Sequence, residues 1–376
     1  MKLRLTLVLA GLVSSLIPAL AADPAQKQSI AQREFFYIGG RYRGAGAGEV
    51  MTGQMYVEVL RPVKIRRRYP LVLIHGAGQT ATNWMGTPDG RAGWADYFLS
   101  EGYVVYMVDQ PARGRSAWHS STNPMLTAMS PAMVAQRFTA PEVNGNWPQA
   151  KKHTQWPGSG PGKGQKGDPI FDAFYATQVE YVASNAETEP MMQAASTALL
   201  DRIGPAVILT HSQAGLFGWP LADARPKLVK GIVAVEPSGP PFEDVLTGVD
   251  GKARAWGLTD FPLTYDPPAT GASDLKVVRD AGPDGPGLAT CWKQADPPRQ
   301  LPNLKDIPVL IVTSEASYHA AYDHCTARYL SQAGVRNTHL RLTDVGIRGN
   351  GHMMMLEKNS AEIAAKLHQW IAANVK

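Results

Sequence analysis

A serine stands where a predicted strand turns directly into a predicted helix. The apolar run at residues 206–209 is followed by residues 210–215 (THSQAG) and then by a helical pattern. Such a turn raises a serine hydroxyl clear of the sheet, so Ser212 has the position of a nucleophile. Gly215 suits the tight turn, whereas Thr210 is bulkier than the glycine usual there. The alternative is that Ser212 only caps the following helix.

One histidine occupies a loop suited to a general base. His352 lies within residues 344–356 (DVGIRGNGHMMML), between the last predicted strand and the last predicted helix. A neutral imidazole can accept the proton of a serine hydroxyl, and the chain order serine, acid, histidine expects the base in this loop. Of the nine histidines, only His352 has that position. A surface or capping histidine is the alternative, and His75 and His211 are interpreted as packing and hydrogen-bonding residues near the site.

The acid that would orient the imidazole is less constrained. Glu236 ends one predicted strand and precedes a proline-rich turn, and Glu315 follows the next predicted strand. Both lie between the serine and the histidine in the chain, so chain order does not choose between them. The rigid turn after Glu236 favours that residue as the acceptor of the imidazole N–H group, and Asp344 is a third candidate.

Two backbone amides are expected to stabilise negative charge on the substrate. Residues 71–79 (LVLIHGAGQ) predict a strand that runs into a glycine-rich turn. In serine hydrolases of this construction, that turn and the residue after the nucleophile each supply one N–H group to an oxyanion hole. The donors would be the amides of Ala77 and Gln213. One such donor is worth about 3 kcal/mol of transition-state stabilisation.

A group of polar residues at His319, Asp323 and His324 raises the question of a metal site. Histidine and carboxylate side chains are metal ligands, but this group lacks a complete ligand set. An aromatic loop is the interpretation that the sequence favours. We therefore predict neither a metal nor a cofactor.

The elements that would position these residues alternate between short apolar runs and helical patterns. This alternation predicts an α/β protein with a mostly parallel sheet of about eight strands and helices on both faces. An antiparallel start is predicted at residues 35–38 and 54–60. The later strands are predicted at residues 71–74, 104–108, 206–209, 231–235, 309–312 and 339–342. Helices are predicted at residues 93–100, 172–183, 191–202, 215–222, 326–332 and 360–373.

Two long segments interrupt the alternation, at residues 118–169 and about 238–305. Both are rich in proline and glycine, and the first contains Trp118, Trp147 and Trp156. Long loops inside a compact domain are commonly lids or binding loops, and tryptophans bring apolar area that favours order. We interpret both as cap segments of one hydrolase domain over residues 22–376. The tryptophans either line a cleft or pack against the sheet.

The first 21 residues have the order of a secretory signal peptide. Lys2 and Arg4 precede an apolar run, which ends in the small-residue sequence Ala19-Leu20-Ala21. The run is shorter than the roughly 20 apolar residues that a membrane-spanning helix needs. We therefore predict cleavage and a periplasmic or secreted protein without a membrane span.

The charge and cysteine content narrow the classes of partner. The 376 residues include 37 basic and 32 acidic side chains, a formal net charge of +5. This excess of positive charge is too small to indicate a nucleic-acid-binding surface. The basic run at residues 64–68 is typical of solvent-exposed residues just before a strand. Cys291 and Cys325 are the only cysteines, and export into an oxidising compartment favours a disulfide between them. Two buried thiols are the alternative, and the oligomeric state is left open.

Several segments together resemble the α/β-hydrolase superfamily. Residues 109–116 (DQPARGRS) are similar to the turn that often follows its fourth strand. Residues 211–215 (HSQAG), 235–239 (VEPSG) and 349–357 (GNGHMMMLE) resemble the nucleophile, acid and base segments of a group of exported bacterial esterases. In that group the acid is a glutamate after the sixth strand, so the resemblance implies Glu236.

The chemistry predicted from these residues is acyl transfer to Ser212 from a small carboxylic ester, followed by hydrolysis of the acyl-enzyme. A serine nucleophile argues against dehalogenation and epoxide opening, which use a carboxylate in this superfamily. Hydrolysis of lactones, amides or carbon–carbon bonds stays open because the same triad serves them. A non-catalytic extracellular binding module is the alternative from a different class.

Overall fold

Eight strands of the described residues form one sheet. The computed structural model describes residues 30–245 and 251–376, so the predicted signal peptide at residues 1–21 lies outside the described residues. The strands are β1 Ile30–Arg43, β2 Val50–Pro62, β3 Leu71–Ile74, β4 Val105–Asp109, β5 Ala206–His211, β6 Val229–Val235, β7 Val309–Thr313 and β8 Asn337–Arg341. Their order in the sheet is β1-β2-β4-β3-β5-β6-β7-β8.

The pairing of the strands confirms the predicted α/β class. The ladders β1–β2 and β2–β4 are antiparallel, and all ladders from β4 through β3 to β8 are parallel. Strands β3, β4, β5 and β7 are buried along their whole length, which explains their continuous apolar sequences. The first strand is mostly exposed and contains polar and glycine residues. The prediction relied on apolar runs, so it covered only residues 35–38 of this longer strand.

Helices cover both faces of this sheet. They are α1 Trp94–Ser100, α2 Asn185–Ile203, α3 Gly215–Ala224, α4 Asp323–Gln332 and α5 Ser360–Asn374. One buried apolar cluster holds the inward sides of α1 and α5, and the other holds those of α2, α3 and α4. Alternate residues of β3 divide between the clusters: Leu73 faces the first and Val72 faces the second. The period-two geometry of a strand thus builds a core on each side of the sheet.

Two helix predictions differ from the structure. The helix predicted at residues 172–183 is Pro169–Tyr175, capped by the Asp168 side chain, and the chain then forms the short strand Tyr181–Val182. This strand pairs with Leu126–Thr127, a contact distant in sequence that local patterns do not reveal. The helix predicted at residues 191–202 begins six residues earlier, because the Ser184 side chain caps it and the helix continues through Pro190.

The two interrupting segments contain short elements only. Their described helices and strands are Leu126–Thr127, Pro131–Val134, a π-helical turn Ala135–Thr139, Pro141–Asn144, Ala150–Lys152, Glu243–Asp244, Gly251–Lys252, Ala272–Asp274, Val277–Arg279 and Trp292–Gln294. The three tryptophans have different environments. Trp156 is fully buried against Phe174, Trp147 donates a hydrogen bond to the carbonyl of Ala316, and Trp118 is partly exposed.

Cys291 and Cys325 form the predicted disulfide. The sulfur atoms are 2.01 Å apart and the Cα atoms 5.3 Å apart. The bridge attaches the second interrupting segment to α4. In the described part of the chain, no helix has both the length and the apolar character to cross a membrane.

Candidate active site

Ser212 lies at the carboxyl end of β5, in a left-handed backbone conformation with φ of 57°. This conformation is unfavourable for a residue with a side chain, and such strain is common where a side chain must be held for function. The surrounding backbone is close enough to require glycine twice. A β-carbon at Gly76 would lie 2.9 Å from the Ser212 β-carbon, and one at Gly215 would lie 2.4 Å from that of Pro237.

Thr210 is accommodated by a glycine that the sequence pattern did not single out. The side chain of Thr210 is fully buried, and its methyl group faces Gly218 of α3. A β-carbon at Gly218 would lie 3.4 Å from that methyl group. The threonine at the turn therefore packs against the facing helix at an ordinary contact distance.

His352 and Glu236 are in direct contact. The Nδ1 atom of His352 lies 2.6 Å from Oε2 of Glu236, and both side chains are fully buried. Glu236 directly follows β6 and also has a left-handed backbone, with φ of 44°. The backbone N–H and the hydroxyl of Ser314 donate to Oε1 of Glu236, and the hydroxyl of Ser317 donates to Oε2.

The electrostatic environment favours a neutral imidazole. Burial lowers the pKa of His352 well below its usual range, and the charges of His319 and Arg137 lower it further. Burial raises the pKa of Glu236, while His319 and the donors from Ser314 and Ser317 oppose this rise by stabilising the carboxylate. With Nδ1 protonated and donating to Glu236, the other ring nitrogen of His352 is unprotonated and can accept a proton.

Tyr318 joins the serine to the histidine, and sequence reasoning missed it. Its hydroxyl lies 3.2 Å from Nε2 of His352. Burial raises the pKa of Tyr318, and an interaction with the Ser212 side chain opposes this rise, so the serine also lies next to the hydroxyl. Ser212 and His352 therefore project to the same side of the molecule. The signal available in the sequence was its place in an aromatic loop after β7, at the edge where carboxyl ends of parallel strands collect functional residues.

The other two candidate acids have different partners. Glu315 accepts a hydrogen bond from the backbone N–H of Gly349 at 3.0 Å and pairs with Arg348 at 3.2 Å. It thus braces the loop that carries His352. Asp344 pairs with Arg341 at 3.0 Å on the surface. Of the three candidates, Glu236 is the one whose carboxylate bonds the imidazole.

Arg113 connects the two segments expected to supply the oxyanion-hole amides. Its Nη1 donates to the carbonyl of Gly76 at 2.9 Å, and its Nη2 donates to Oε1 of Gln213 at 3.2 Å. Gly76 immediately precedes Ala77, and Gln213 immediately follows Ser212. The guanidinium is buried, which lowers the pKa of Arg113 to about 9. This residue was also not singled out from the sequence.

Aromatic rings enclose the imidazole of His352. The ring of His319 stacks on it with centroids 4.9 Å apart, and the ring of Phe138 stacks with centroids 5.2 Å apart. His211 bonds the backbone carbonyl of His352 through Nε2 at 3.0 Å, in keeping with the role expected of it. His75 is likewise buried, and it bonds Gln110 of the neighbouring loop.

Three side chains with potential metal-ligand atoms lie close together. Donor atoms of Glu236, His319 and His352 all lie within 4.8 Å of one another. Each is engaged by a protein partner, because Glu236 bonds His352 and His319 bonds Asp323 at 2.9 Å. His324, the third member of the group noted in the sequence, lies instead beside Cys325. The arrangement is an internal hydrogen-bond network.

The sequence profile of the Alpha/beta hydrolase family matches residues 71–366, which include every candidate site residue. This chain belongs to the alpha/beta hydrolase family. It is 46% identical over 371 residues to "Probable secreted lipase phiG" of Fungal sp. (strain ATCC 74256), covering 97% of this chain and 98% of that relative.

A solved structure has the same fold over nearly the whole chain. It is described as a novel bacterial esterase, and it superposes with a TM-score of 0.62 at 24% identity, covering 96% of this chain and 100% of that one. At this identity the likeness concerns the fold. The predicted α/β-hydrolase architecture is therefore confirmed by both sequence and structure.

Proposed function

We propose that this protein is an exported carboxylic ester hydrolase with Ser212 as nucleophile, His352 as general base and Glu236 as the acid that orients the base. One observation carries the proposal: a continuous line of contacts runs from Ser212 through the Tyr318 hydroxyl to His352 and on to Glu236. A strained serine, a neutral buried imidazole and a buried carboxylate together form a system that can activate a hydroxyl.

The reaction would proceed in two steps. As the Ser212 oxygen attacks the ester carbonyl, its proton passes by way of the Tyr318 hydroxyl to Nε2 of His352, and the imidazolium that forms is stabilised by Glu236. The amides of Ala77 and Gln213 would hold the negative oxygen of the tetrahedral intermediate. His352 then protonates the leaving alcohol, and a water molecule activated by the same residue hydrolyses the acyl-enzyme. These steps require no cofactor.

Two observations favour ester bonds and export. The relative at 46% identity is named a probable secreted lipase, and the first 21 residues have the order of a signal peptide. Lipases cleave carboxylic esters, so a small-molecule ester is the proposed substrate. The segments 118–169 and 238–305 would act as caps, because residues of both line a cleft beside Tyr318.

Labelling with a fluorophosphonate probe tests the nucleophile. We expect the probe to modify Ser212, identified by peptide mapping, and the Ser212→Ala variant to lose both labelling and hydrolysis of an aryl acetate. Ser238→Ala is a matched control, because Ser238 follows the acid turn and donates its backbone N–H, not its hydroxyl, to Ser212. A native protein that neither reacts nor hydrolyses esters would favour a non-catalytic binding module. If Ser212 is labelled but the protein cleaves amides or lactones and no esters, the proposed substrate class is wrong and the nucleophile stands.

A further inference from the structure

A cleft of about 470 Å³ opens beside the candidate active site. Tyr318 forms part of its wall, and the hydroxyl of the same residue contacts both Ser212 and His352. Trp147 packs edge-on against Tyr318 with ring centroids 5.8 Å apart and contributes another wall. Ser212 and His352 are not in the lining themselves, so Tyr318 is the residue that connects the cleft with the reacting groups.

Arg137 lines this cleft from the first cap segment. It belongs to the π-helical turn Ala135–Thr139, and π-helical turns often occur at functional sites. The next residue, Phe138, stacks on the His352 imidazole, so the turn is anchored to the catalytic centre. Among the described residues that line the cleft, Arg137 is the one with a charged side chain; the others are apolar, aromatic or amide residues.

Arg137 is half-buried as a residue, yet the described residues provide its guanidinium with no ion pair and no hydrogen-bond acceptor. The more deeply buried arginines differ: Arg113 donates to Gly76 and Gln213, and Arg254 donates to the carbonyl of Pro240. Partial removal of a cation from water has a cost that proteins normally offset with a partner. An arginine kept without one, in a cleft, is suited to a partner that arrives with the ligand.

The charge of Arg137 also reaches the reacting groups. Burial raises the pKa of Tyr318 and lowers that of His352; the positive charge of Arg137 opposes the first shift and adds to the second, so its field acts at both groups. No carboxylate lines the described part of the cleft to neutralise this field. An anionic group would be attracted into the cleft, and a cationic one would be repelled.

We infer that the cleft binds esters that carry a free carboxylate, and that Arg137 pairs with this carboxylate while the ester carbonyl lies at Ser212. The planar guanidinium matches a carboxylate with two parallel hydrogen bonds, which selects by charge and by orientation. This inference deepens the proposed ester hydrolase activity and rests on it. It names half-esters of dicarboxylic acids as the substrate class.

The first test compares two esters on the wild-type protein. One is 4-nitrophenyl adipate with its second carboxyl group free, and the other is 4-nitrophenyl adipamate, in which an uncharged amide replaces that carboxylate. A hydrogen bond to a charged group is worth about 1.5–3 kcal/mol, so we expect kcat/KM to favour the free acid by roughly 10- to 100-fold. Salt should reduce this preference because it screens the attraction. Equal kcat/KM values for the two esters would overturn the inference.

Variants of Arg137 test whether this residue causes the preference for the free acid. Arg137→Gln should reduce the ratio of the two kcat/KM values to about one, and Arg137→Lys should retain part of the preference. Arg336→Gln removes the same charge from an exposed residue before β8, and should keep the wild-type ratio. A preference that survives in Arg137→Gln would overturn the assignment.

Failure of the inference is distinguishable from failure of the proposed activity. If an aryl acetate is hydrolysed and Ser212 is labelled, but the free acid has no advantage, the ester hydrolase stands and the carboxylate site does not. If neither the acetate nor the two adipate derivatives is hydrolysed, the proposed activity fails and the inference fails with it. Should Arg137→Gln not fold, the wild-type comparison and Arg137→Lys still decide the question.

Discussion

His153 lies between two carboxylates, with Nε2 2.7 Å from Oε1 of Glu357 and Nδ1 2.7 Å from Oε2 of Glu142. Glu357 also accepts hydrogen bonds from the backbone N–H of Gly351 at 2.8 Å and from the side chain of Asn350. These two residues immediately precede His352 in the chain. The first cap segment is thus attached through His153 to the loop that carries the candidate base.

This contact predicts a specific dependence of stability on pH. The two carboxylates outweigh the effect of burial and raise the pKa of His153 from the usual 6.5 to about 9. A raised pKa contributes stability that is fully present below about pH 6.5 and is lost as the pH rises through about 9. We expect His153→Gln to lower the free energy of unfolding at near-neutral pH by on the order of 3 kcal/mol.

Urea unfolding at a series of pH values measures this effect. The difference in unfolding free energy between wild type and His153→Gln should shrink as the solution becomes alkaline. His119→Gln is the control, because no described residue bonds the His119 side chain. A difference that stays constant with pH would mean that His153 contributes packing and not charge.

Tyr318→Phe should lower kcat about tenfold and change KM for an aryl acetate little, because the lost hydroxyl holds Ser212 and His352 in line. The hydroxyl donates to Nε2 and so favours the neutral imidazole. Its removal should therefore move the acid limb of the kcat/KM profile to higher pH. Tyr103→Phe is a matched control, since it also removes a tyrosine hydroxyl bonded to a histidine, at 3.0 Å from Nδ1 of His368. An unmoved pH profile would reduce Tyr318 to a packing role.

Glu236→Gln should lower kcat by a factor on the order of 1,000 to 10,000, because an amide cannot stabilise the imidazolium of His352 and favours the wrong tautomer. Glu315→Gln should cost less than about tenfold. Its amide oxygen can still accept the hydrogen bond from Gly349, which leaves the loop braced. Steady-state kinetics on one aryl ester compares the two variants directly. A larger loss in Glu315→Gln would place the acid on β7.

Gly215→Ala should destabilise the protein by about 1–3 kcal/mol and also lower activity. The added methyl group would lie 2.4 Å from the β-carbon of Pro237, so either the turn of Ser212 or the turn of Glu236 must shift. Thermal unfolding and esterase assays measure the two losses. Gly282→Ala adds the same group where no atom lies within 4 Å, and it should be close to neutral. Equal behaviour of the two variants would show that the close approach is not a constraint.

The sequence alone was sufficient for features that depend on local patterns. The apolar strands, the serine at a strand–helix turn and the histidine in a late glycine-rich loop all follow from the order of residue types over a few positions. The disulfide followed because only one pair of cysteines exists. The α/β class and the Ser212, His352 and Glu236 candidates were accessible for these reasons.

Only the tertiary structure decided which distant side chains meet. Sequence order left Glu236, Glu315 and Asp344 open, because all three can precede the histidine, whereas the parallel order of β6 and β7 brings one carboxylate to 2.6 Å from the imidazole. The sequence did not reveal the partners of Tyr318 and Arg113, since the residues that they bond lie far away in the chain. A residue's type limits its chemistry, but the partner that makes this chemistry useful is determined by how the strands and caps pack.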